Sequence, residues 1–441
     1  MDEKSTILED EERFKSLHPR YRWLDQLRGI TVLFLLVAFL TWEFSSKLYL
    51  GNPPPLGPTW MNHGTRYAKY LPSIITVIDM GSSLFMNVMG ISLAISFRSK
   101  VKKKGLGYTW ATILSRFFAL IWVNIASRIF FMTETIIQNF PEFVNANKLE
   151  LILLGVWAGI TLMLIIFHFL FLKKSSIRIY VMLLWTIFSV VMCYPIIEDQ
   201  IWYIFFGSTL AYIAWGTLFA GIALTLFRSP DLRIWCVFIL FSVHFMLWEL
   251  AKSKDIVPTK WLFEVLPGTA LEYIGIPFTV INMGAIAISA TCVSDWLLQK
   301  YDSPIEGAKK RVIPFWICIF CVHFIADFFQ PAKHDGINTS LASISIFFGT
   351  LFLLIFFAWD RYYNAKLPFL TPFGRNALLV FALQEIHLIP YSYIWENVVE
   401  FRTQFPGLLG NFIGMLLFVL PIALLMFIAW ILDKMKLYVK F

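Results

Sequence analysis

Charge is what this sequence has least of. Only 15% of its 441 residues are Asp, Glu, Lys or Arg, whereas soluble globular chains carry roughly 25%. Apolar residues make up 58% of the chain and the mean hydropathy is +0.68, against about 45–50% apolar residues in an average soluble domain. This balance excludes ordinary soluble domains and indicates an integral membrane protein.

Several signatures of other protein classes are missing as well. We find no repeat of 20–50 residues, no low-complexity tract and no glycine-rich nucleotide-binding loop. Cysteine is scarce, and Cys318 and Cys321 have the spacing of a redox pair but fall inside an apolar run. We expect the five cysteines to be small buried hydrophobic residues and expect no metal site.

The sequence contains instead a succession of apolar runs separated by short polar breaks. A helix needs about 20 apolar residues to cross a hydrocarbon layer ~30 Å thick. Backbone amides in lipid must be paired within their own segment, so we expect helices. The predicted fold is an all-α, polytopic integral membrane helical bundle with about 10–12 transmembrane helices. The predicted spans are 30–44, 70–97, 109–132, 151–172, 179–197, 204–227, 234–250, 271–297, 312–329, 341–359, 376–393 and 408–432.

The distribution of Lys and Arg predicts the orientation, because these residues are retained in the cytoplasm. With a cytoplasmic N-terminus, the inner segments hold 26 of the 37 Lys and Arg residues, and the outer segments hold eight. We therefore expect a cytoplasmic segment 1–28, a transmembrane domain 29–432 and a basic cytoplasmic tail 433–441. The attraction of basic residues to anionic lipid of the inner leaflet explains the net charge of +8. The charge therefore gives no reason to expect a nucleic-acid partner.

Ionisable groups inside the spans are informative, because each is costly in lipid and usually faces a cavity or a partner. At the cytoplasmic start of the first span, Asp25 and Arg28 are three residues apart and can pair on one helical face. Gly29 allows close approach to a neighbour. A plain membrane anchor is the alternative for this block. The spans themselves carry Asp79, Arg116, Arg128, His168, Glu249, Asp327 and Glu385.

Two further blocks carry chemically useful residues. His63 is the only histidine of the first outer loop, and histidine is the side chain best suited to exchange a proton near neutrality. A plain surface histidine is the alternative. Near the C-terminus, Pro372 and Gly374 indicate a turn that opens the eleventh span. Arg375 and Asn376 would then be donors at a helix N-terminus, a site that favours anions, or a positive-inside anchor.

In order and spacing, these blocks resemble the heparan-α-glucosaminide N-acetyltransferase family of the transmembrane acyltransferase superfamily. The resemblance covers the Leu-Asp-x-Leu-Arg-Gly entry of residues 24–29, the loop histidine, the acid of the second span and residues 374–386. The middle half of the chain matches only in its alternation of spans and loops. The chain departs from the family at Phe39, where the family has Asn, and at Gln384, where it has His.

The resemblance implies a membrane-bound N-acetyltransferase that takes the acetyl group from cytosolic acetyl-CoA. The acceptor would be an amine of a glucosamine-type glycan across the membrane. By analogy His63 is the catalytic histidine, as acid and base or as acyl carrier, and Asp79 is the acid of the second span. The cofactor-binding residues expected for acetyl-CoA are Asp25, Arg28, Arg116, Arg375, Asn376 and Glu385.

Two alternatives stay open at this stage. The first is an acyltransferase with another donor or a hydroxyl acceptor. The second is a transporter that catalyses no reaction. The sequence shows neither an inverted repeat nor broken helices at matched positions, and this argues against a transporter. The expected partners are the lipid bilayer, acetyl-CoA and the amino-sugar acceptor, and a homodimer is left open.

Overall fold

The computed structural model describes residues 21–48, 77–138, 148–167, 177–197, 203–253, 278–298, 303–332, 337–364, 367–377, 379–380 and 408–436. These residues form helices and turns and contain no strand. The helices are α1 (Arg22–Leu48), α2 (Val77–Gln138), α3 (Lys148–Phe167), α4 (Arg178–Ile197), α5 (Thr209–Leu226), α6 (Pro230–Ser253), α7 (Phe278–Leu298), α8 (Pro304–Gly307), α9 (Ile313–Phe329), α10 (Thr339–Tyr363), α11 (Leu370–Arg375) and α12 (Leu408–Lys434).

Over their described residues, eleven of the twelve predicted spans coincide with helices. Of the remaining one, the eleventh, 376–393, residues 377, 379 and 380 are helical, and the residues from 381 on lie outside the described part of the chain. The second and third spans are the two arms of α2, which breaks at Gly105 with φ 82° and ψ 169°. Glycine adopts this backbone without the penalty that a Cβ would add. Within the described ranges, six helices are long and apolar enough to cross a membrane. The protein is an all-α polytopic membrane helical bundle.

Helix α7 lies at the centre of the bundle. Its most apolar 18-residue window is completely buried, and it packs against α2, α5, α6 and α10. Close contact depends on small residues: a Cβ atom at Gly90 of α2 would overlap the carbonyl oxygen of Ala287, and the side chain of Phe219 lies against Gly284. Small residues let membrane helices approach closely and gain packing energy that lipid does not provide.

Helices α6 and α9 form part of the outer surface, since only 28% and 33% of their apolar windows are buried inside the protein. Large apolar side chains point outward from α6 at Trp235, Ile239 and Met246 and from α9 at Phe324 and Phe328. In water such a surface would be an aggregation liability, but in a bilayer it is the lipid-facing side. The polar groups are therefore gathered inside the bundle and at its two ends.

Candidate functional site

One end of the bundle holds an ion-pair network centred on Asp25, whose side chain is 1% exposed. Arg28 Nη1 lies 2.9 Å from Asp25 Oδ1, which confirms the pair predicted from the three-residue spacing. Arg375 Nε approaches the other carboxylate oxygen at 3.4 Å, and Arg375 Nη1 reaches Asp433 Oδ1 at 2.9 Å. Arg28 also donates to Ser92 Oγ of α2 at 2.6 Å. The network joins α1, α2, α11 and α12.

Two glycines make this meeting of α1 and α11 geometrically feasible. A Cβ atom at Gly374 would overlap the backbone carbonyl oxygen of Asp25, and one at Gly29 would overlap the carbonyl oxygen of Leu370. The expectation that Gly29 permits close approach is confirmed. The two sequence blocks, about 350 residues apart, therefore pack backbone against backbone, and any side chain at either glycine would push them apart.

The predicted turn at Pro372 and Gly374 is wrong. Residues 370–375 are helical in α11, and the break falls at Asn376, whose side-chain amide lies 3.5 Å from the carbonyl oxygen of Pro372. Pro372 fits into this helix because it lies in the first turn, where a backbone N–H has no hydrogen-bond partner within the helix and its absence costs nothing. Arg375 therefore ends one short helix. Asn376 directly precedes the next one, since residues 377, 379 and 380 are helical and the Asn376 carbonyl oxygen accepts from the backbone N–H of Val380 at 2.9 Å, so the predicted position of Asn376 at a helix N-terminus is confirmed.

A second ion-pair cluster lies at the same end of the bundle, on α2, α6 and α7. The carboxylate of Asp295 pairs with both Arg98 and Arg233 through its oxygen Oδ2. Arg233 is fully buried and also donates to Thr291 Oγ1 at 2.7 Å. Arg22 binds Asp360 of α10 at this end as well, at 2.6 Å. We call it the Asp25 end, after the residue at the centre of its first network.

The opposite end of the bundle contains a buried group of His323, Asp327 and Ser340, on α9 and α10. Ser340 Oγ donates to Asp327 Oδ1 at 2.8 Å, and His323 Nδ1 lies 3.2 Å from the same hydroxyl oxygen. The backbone N–H of Ala332 also donates to Asp327, at 2.9 Å. In a Ser-His-Asp triad the imidazole lies between hydroxyl and carboxylate. Here the hydroxyl lies between the other two, so this group is not such a triad.

Amide and imidazole side chains extend this buried polar region. Gln330 donates to Glu249 Oε1 at 2.9 Å, and Asn282 donates to the carbonyl oxygen of Ile337 at 2.6 Å. His244 Nδ1 lies 3.2 Å from Thr339 Oγ1. We call this the Ser340 end. Because α10 carries both Ser340 and Asp360, about 20 residues apart, the two ends are separated by ~30 Å at 1.5 Å per residue, which is about one hydrocarbon thickness.

We expect Ser340→Ala to destabilise the protein by about 1–3 kcal/mol, because it removes the hydroxyl that donates to a buried carboxylate. Ser343→Ala is the matched control: its hydroxyl is equally buried on α10, but among the described residues it donates to helix carbonyls alone, and we expect less than about 0.5 kcal/mol. Unfolding of both purified variants in mixed micelles of SDS measures the difference. Equal stability would mean that Ser340 does not hold Asp327.

The remaining residues predicted for the site are only partly described. His63 and Glu385 lie outside the described residues, as does the side chain of Asp79, whose backbone lies in the first turn of α2. Arg116 is half-buried on the second arm of α2, about 16 Å beyond Gly105 along the axis. The structure therefore brings Asp25, Arg28 and Arg375 together, and Asn376 directly follows Arg375 in the chain.

Several buried polar residues were not singled out in the sequence, namely Arg233, His244, Asn282, Asp295 and His323. Their positions inside apolar runs, or directly before one in the case of Arg233, were the available signal, since ionisable groups in spans usually have partners. No group of three or more His, Cys, Asp and Glu side chains in the described parts of the chain is placed to hold a metal ion. Neither a family model nor a curated protein matches the chain.

Proposed function

We propose that the protein is a transmembrane acetyltransferase, which transfers an acetyl group from cytosolic acetyl-CoA to the amine of a glucosamine-type glycan on the opposite side of the membrane. The observation that supports this proposal is the contact between Asp25, Arg28 and Arg375. These residues belong to two sequence blocks that carry the family resemblance. Their convergence on one buried carboxylate is expected if the blocks form a single site.

The two polar ends of the bundle suit different steps of the proposed reaction, namely donor binding and acetyl transfer to the acceptor. The Asp25 end is rich in arginine, and in the proposed orientation it faces the cytoplasm with both termini, as the positive-inside rule favours. Coenzyme A carries several phosphate charges, which arginines bind by charge-assisted hydrogen bonds. The Ser340 end lies ~30 Å away along α10, on the side where His63 and the acceptor amine belong in this proposal.

The chemistry follows from these positions. The amine nitrogen attacks the thioester carbonyl, a C–N bond forms, the C–S bond breaks, and the thiolate leaves as free CoA after taking a proton. His63 accepts the proton that the amine loses. In the covalent variant the imidazole first takes the acetyl group and then passes it to the amine. Both variants need His63 next to the thioester and consume one amine for each thiol released.

Transfer across a sealed bilayer tests the proposal. Proteoliposomes are loaded with glucosamine, washed, and supplied with radiolabelled acetyl-CoA outside. We expect N-acetylglucosamine inside the vesicles and free CoA thiol outside in equal amounts, because neither substrate crosses the bilayer unaided. Protein-free vesicles and vesicles without glucosamine are the controls, and neither should release thiol above the rate of spontaneous hydrolysis.

The same assay separates the alternatives. A transporter releases no thiol, so its outcome is an unchanged thiol concentration with glucosamine present. An acyltransferase with another donor releases thiol only when a longer acyl-CoA replaces acetyl-CoA. An acyltransferase with a hydroxyl acceptor releases thiol only when a polyol replaces the amine. Either result would refute amine acetylation as the activity.

A further inference from the structure

The first two residues of α10 and the two residues before it, 337–340, are surrounded by polar residues of other helices. They contact, in order, Asn282 of α7, Gln330 at the end of α9, His244 of α6 and His323 of α9. The four surrounding side chains are all buried. Because four consecutive residues extend over at most about 14 Å, the groups around them form one site.

Two amide side chains of this site present carbonyl oxygens that lack a donor. Asn282 Nδ2 donates to the carbonyl oxygen of Ile337 at 2.6 Å. Gln330 Nε2 donates to the carbonyl oxygen of Phe245 at 3.1 Å and to Glu249 Oε1 at 2.9 Å. Because these partners are acceptors, the nitrogen of each amide must face them. Asn282 Oδ1 and Gln330 Oε1 are buried and accept no hydrogen bond within the described residues. Water or a ligand has to supply the missing donors, since a buried unpaired acceptor is costly.

His323 presents a third acceptor. Its Nδ1 atom lies 3.1 Å from the carbonyl oxygen of Ser340. Since a carbonyl oxygen can only accept, we assign the proton of the neutral imidazole to Nδ1, which leaves the lone pair on Nε2. In the part of the chain that the structure describes, Nε2 makes no hydrogen bond. A bond from Nδ1 to a backbone carbonyl fixes the orientation of a histidine ring, so the ring is held with Nε2 ready to accept.

We propose that this site binds the amino-sugar acceptor, whose ammonium group donates to His323 Nε2 and whose hydroxyl groups donate to Asn282 Oδ1 and Gln330 Oε1. The identity of the ligand as an amine rests on the proposed function. The three atoms accept hydrogen bonds, and a sugar that carries an ammonium group is rich in donors. An ionised phosphate has no donor to offer, so the site does not suit the phosphates of CoA.

The direction of α2 agrees with this location of the acceptor. Ser92 of α2 contacts Arg28 at the Asp25 end, and Asn87, nearer the start of the helix, donates to the carbonyl oxygen of Ser345 on α10. The first residues of α2 therefore lie towards the Ser340 end. His63 precedes them in the chain, so the chain enters α2 from the side of the acceptor site.

Binding of radiolabelled glucosamine to the purified full-length protein in nanodiscs tests this proposal. His323→Asn should weaken binding roughly 10- to 150-fold, the range for a lost hydrogen bond to a charged group. The amide nitrogen of asparagine can take the place of Nδ1 and keep the bond to Ser340, so a purely structural histidine predicts unchanged affinity. Asn282→Leu and Gln330→Met should each weaken binding about 2- to 12-fold, as expected for a neutral hydrogen bond.

Asn124→Leu is the matched control. Asn124 is also a buried amide that donates to a backbone carbonyl oxygen, but its partners Ile204 and Ser208 belong to the segment before α5. Its replacement should change glucosamine affinity less than about twofold, because the two sites share no partner. Every variant should also keep wild-type affinity for CoA, which binds at the Asp25 end in the proposed function, and this affinity shows that the variant is folded.

The outcomes separate this inference from the proposed function. Wild-type glucosamine affinity in the folded variants of His323, Asn282 and Gln330 means that water alone meets these atoms, which overturns the inference, and the function stands if acetyl transfer persists. Binding of glucosamine through these residues without acetyl transfer supports the site and overturns the function. Equal affinity of the wild type for glucosamine and N-acetylglucosamine, whose nitrogen is uncharged, overturns the contact between His323 and the ammonium group. Absence of glucosamine binding overturns the inference, and the vesicle assay then decides the function.

Discussion

His63→Ala should abolish acetyl transfer while acetyl-CoA binding stays nearly intact. A general base contributes about 10²–10⁴-fold to rate, and a covalent acyl carrier contributes more. In the proposed function, the donor's charged end binds at the Asp25 end, and His63 acts with the acceptor on the opposite side of the membrane. The His63→Ala variant therefore loses the acid–base or acyl-carrying group and keeps the proposed contacts to the phosphates of CoA. The rate of N-acetylglucosamine formation and a parallel CoA titration measure the two effects separately.

His334→Ala is the control, because His334 is predicted on another outer loop and lies outside the blocks that resemble the family. It should keep full activity. The wild-type rate should also fall on acidification, since a protonated imidazole neither accepts a proton nor attacks a thioester. Full transfer by His63→Ala would remove the catalytic role of His63, and the resemblance would then extend to the fold alone.

The helices were predictable because their formation is a local matter. An apolar run of about 20 residues in lipid has helix as its only way to pair its own backbone groups, and every described run obeys this. The central place of α7 was not predictable from hydropathy, since α7 is no more apolar than its neighbours. Its position follows from Gly90 and Gly284, which allow α2 and α5 to approach it, and such packing depends on three helices at once.

The distinction between local contacts, which sequence predicts, and contacts between distant segments, which it does not, also applies to the candidate site. The Asp25–Arg28 pair needs only the spacing of one helix and was predicted correctly. The contact of Arg375 with Asp25 joins residues about 350 positions apart, and nothing in either block alone specifies it. Likewise, Arg233 and Asp295 lie 62 positions apart, and each looks like an isolated charge near the end of an apolar run. Sequence reasoning found the pair within one helix, Asp25 and Arg28, but it missed Arg233 and Asp295 and the contacts that join different helices.

Asp295→Asn should be strongly destabilising, at about 3–5 kcal/mol, because it leaves the fully buried guanidinium of Arg233 without its anion. That cost corresponds to a roughly 150- to 4,000-fold shift in the ratio of folded to unfolded protein. Unfolding of the purified protein in mixed micelles of SDS gives this free energy directly. Asp433→Asn is the control: its carboxylate also binds an arginine, Arg375, but both groups are partly exposed, and we expect about 1 kcal/mol or less.

A double variant distinguishes loss of a charge pair from loss of shape. Replacing both partners, Arg233→Leu with Asp295→Leu, removes the buried charges together, so most of the stability lost in Asp295→Asn should return. Buried ion pairs exchanged for apolar residues of similar size are often neutral or stabilising, because the desolvation cost disappears with them. Arg98 then loses its contact with Asp295 but is exposed enough to reach water. If the double variant is as unstable as Asp295→Asn, the side chains at these positions act through packing, and Asp295 is not the counter-ion that holds Arg233 in the bundle.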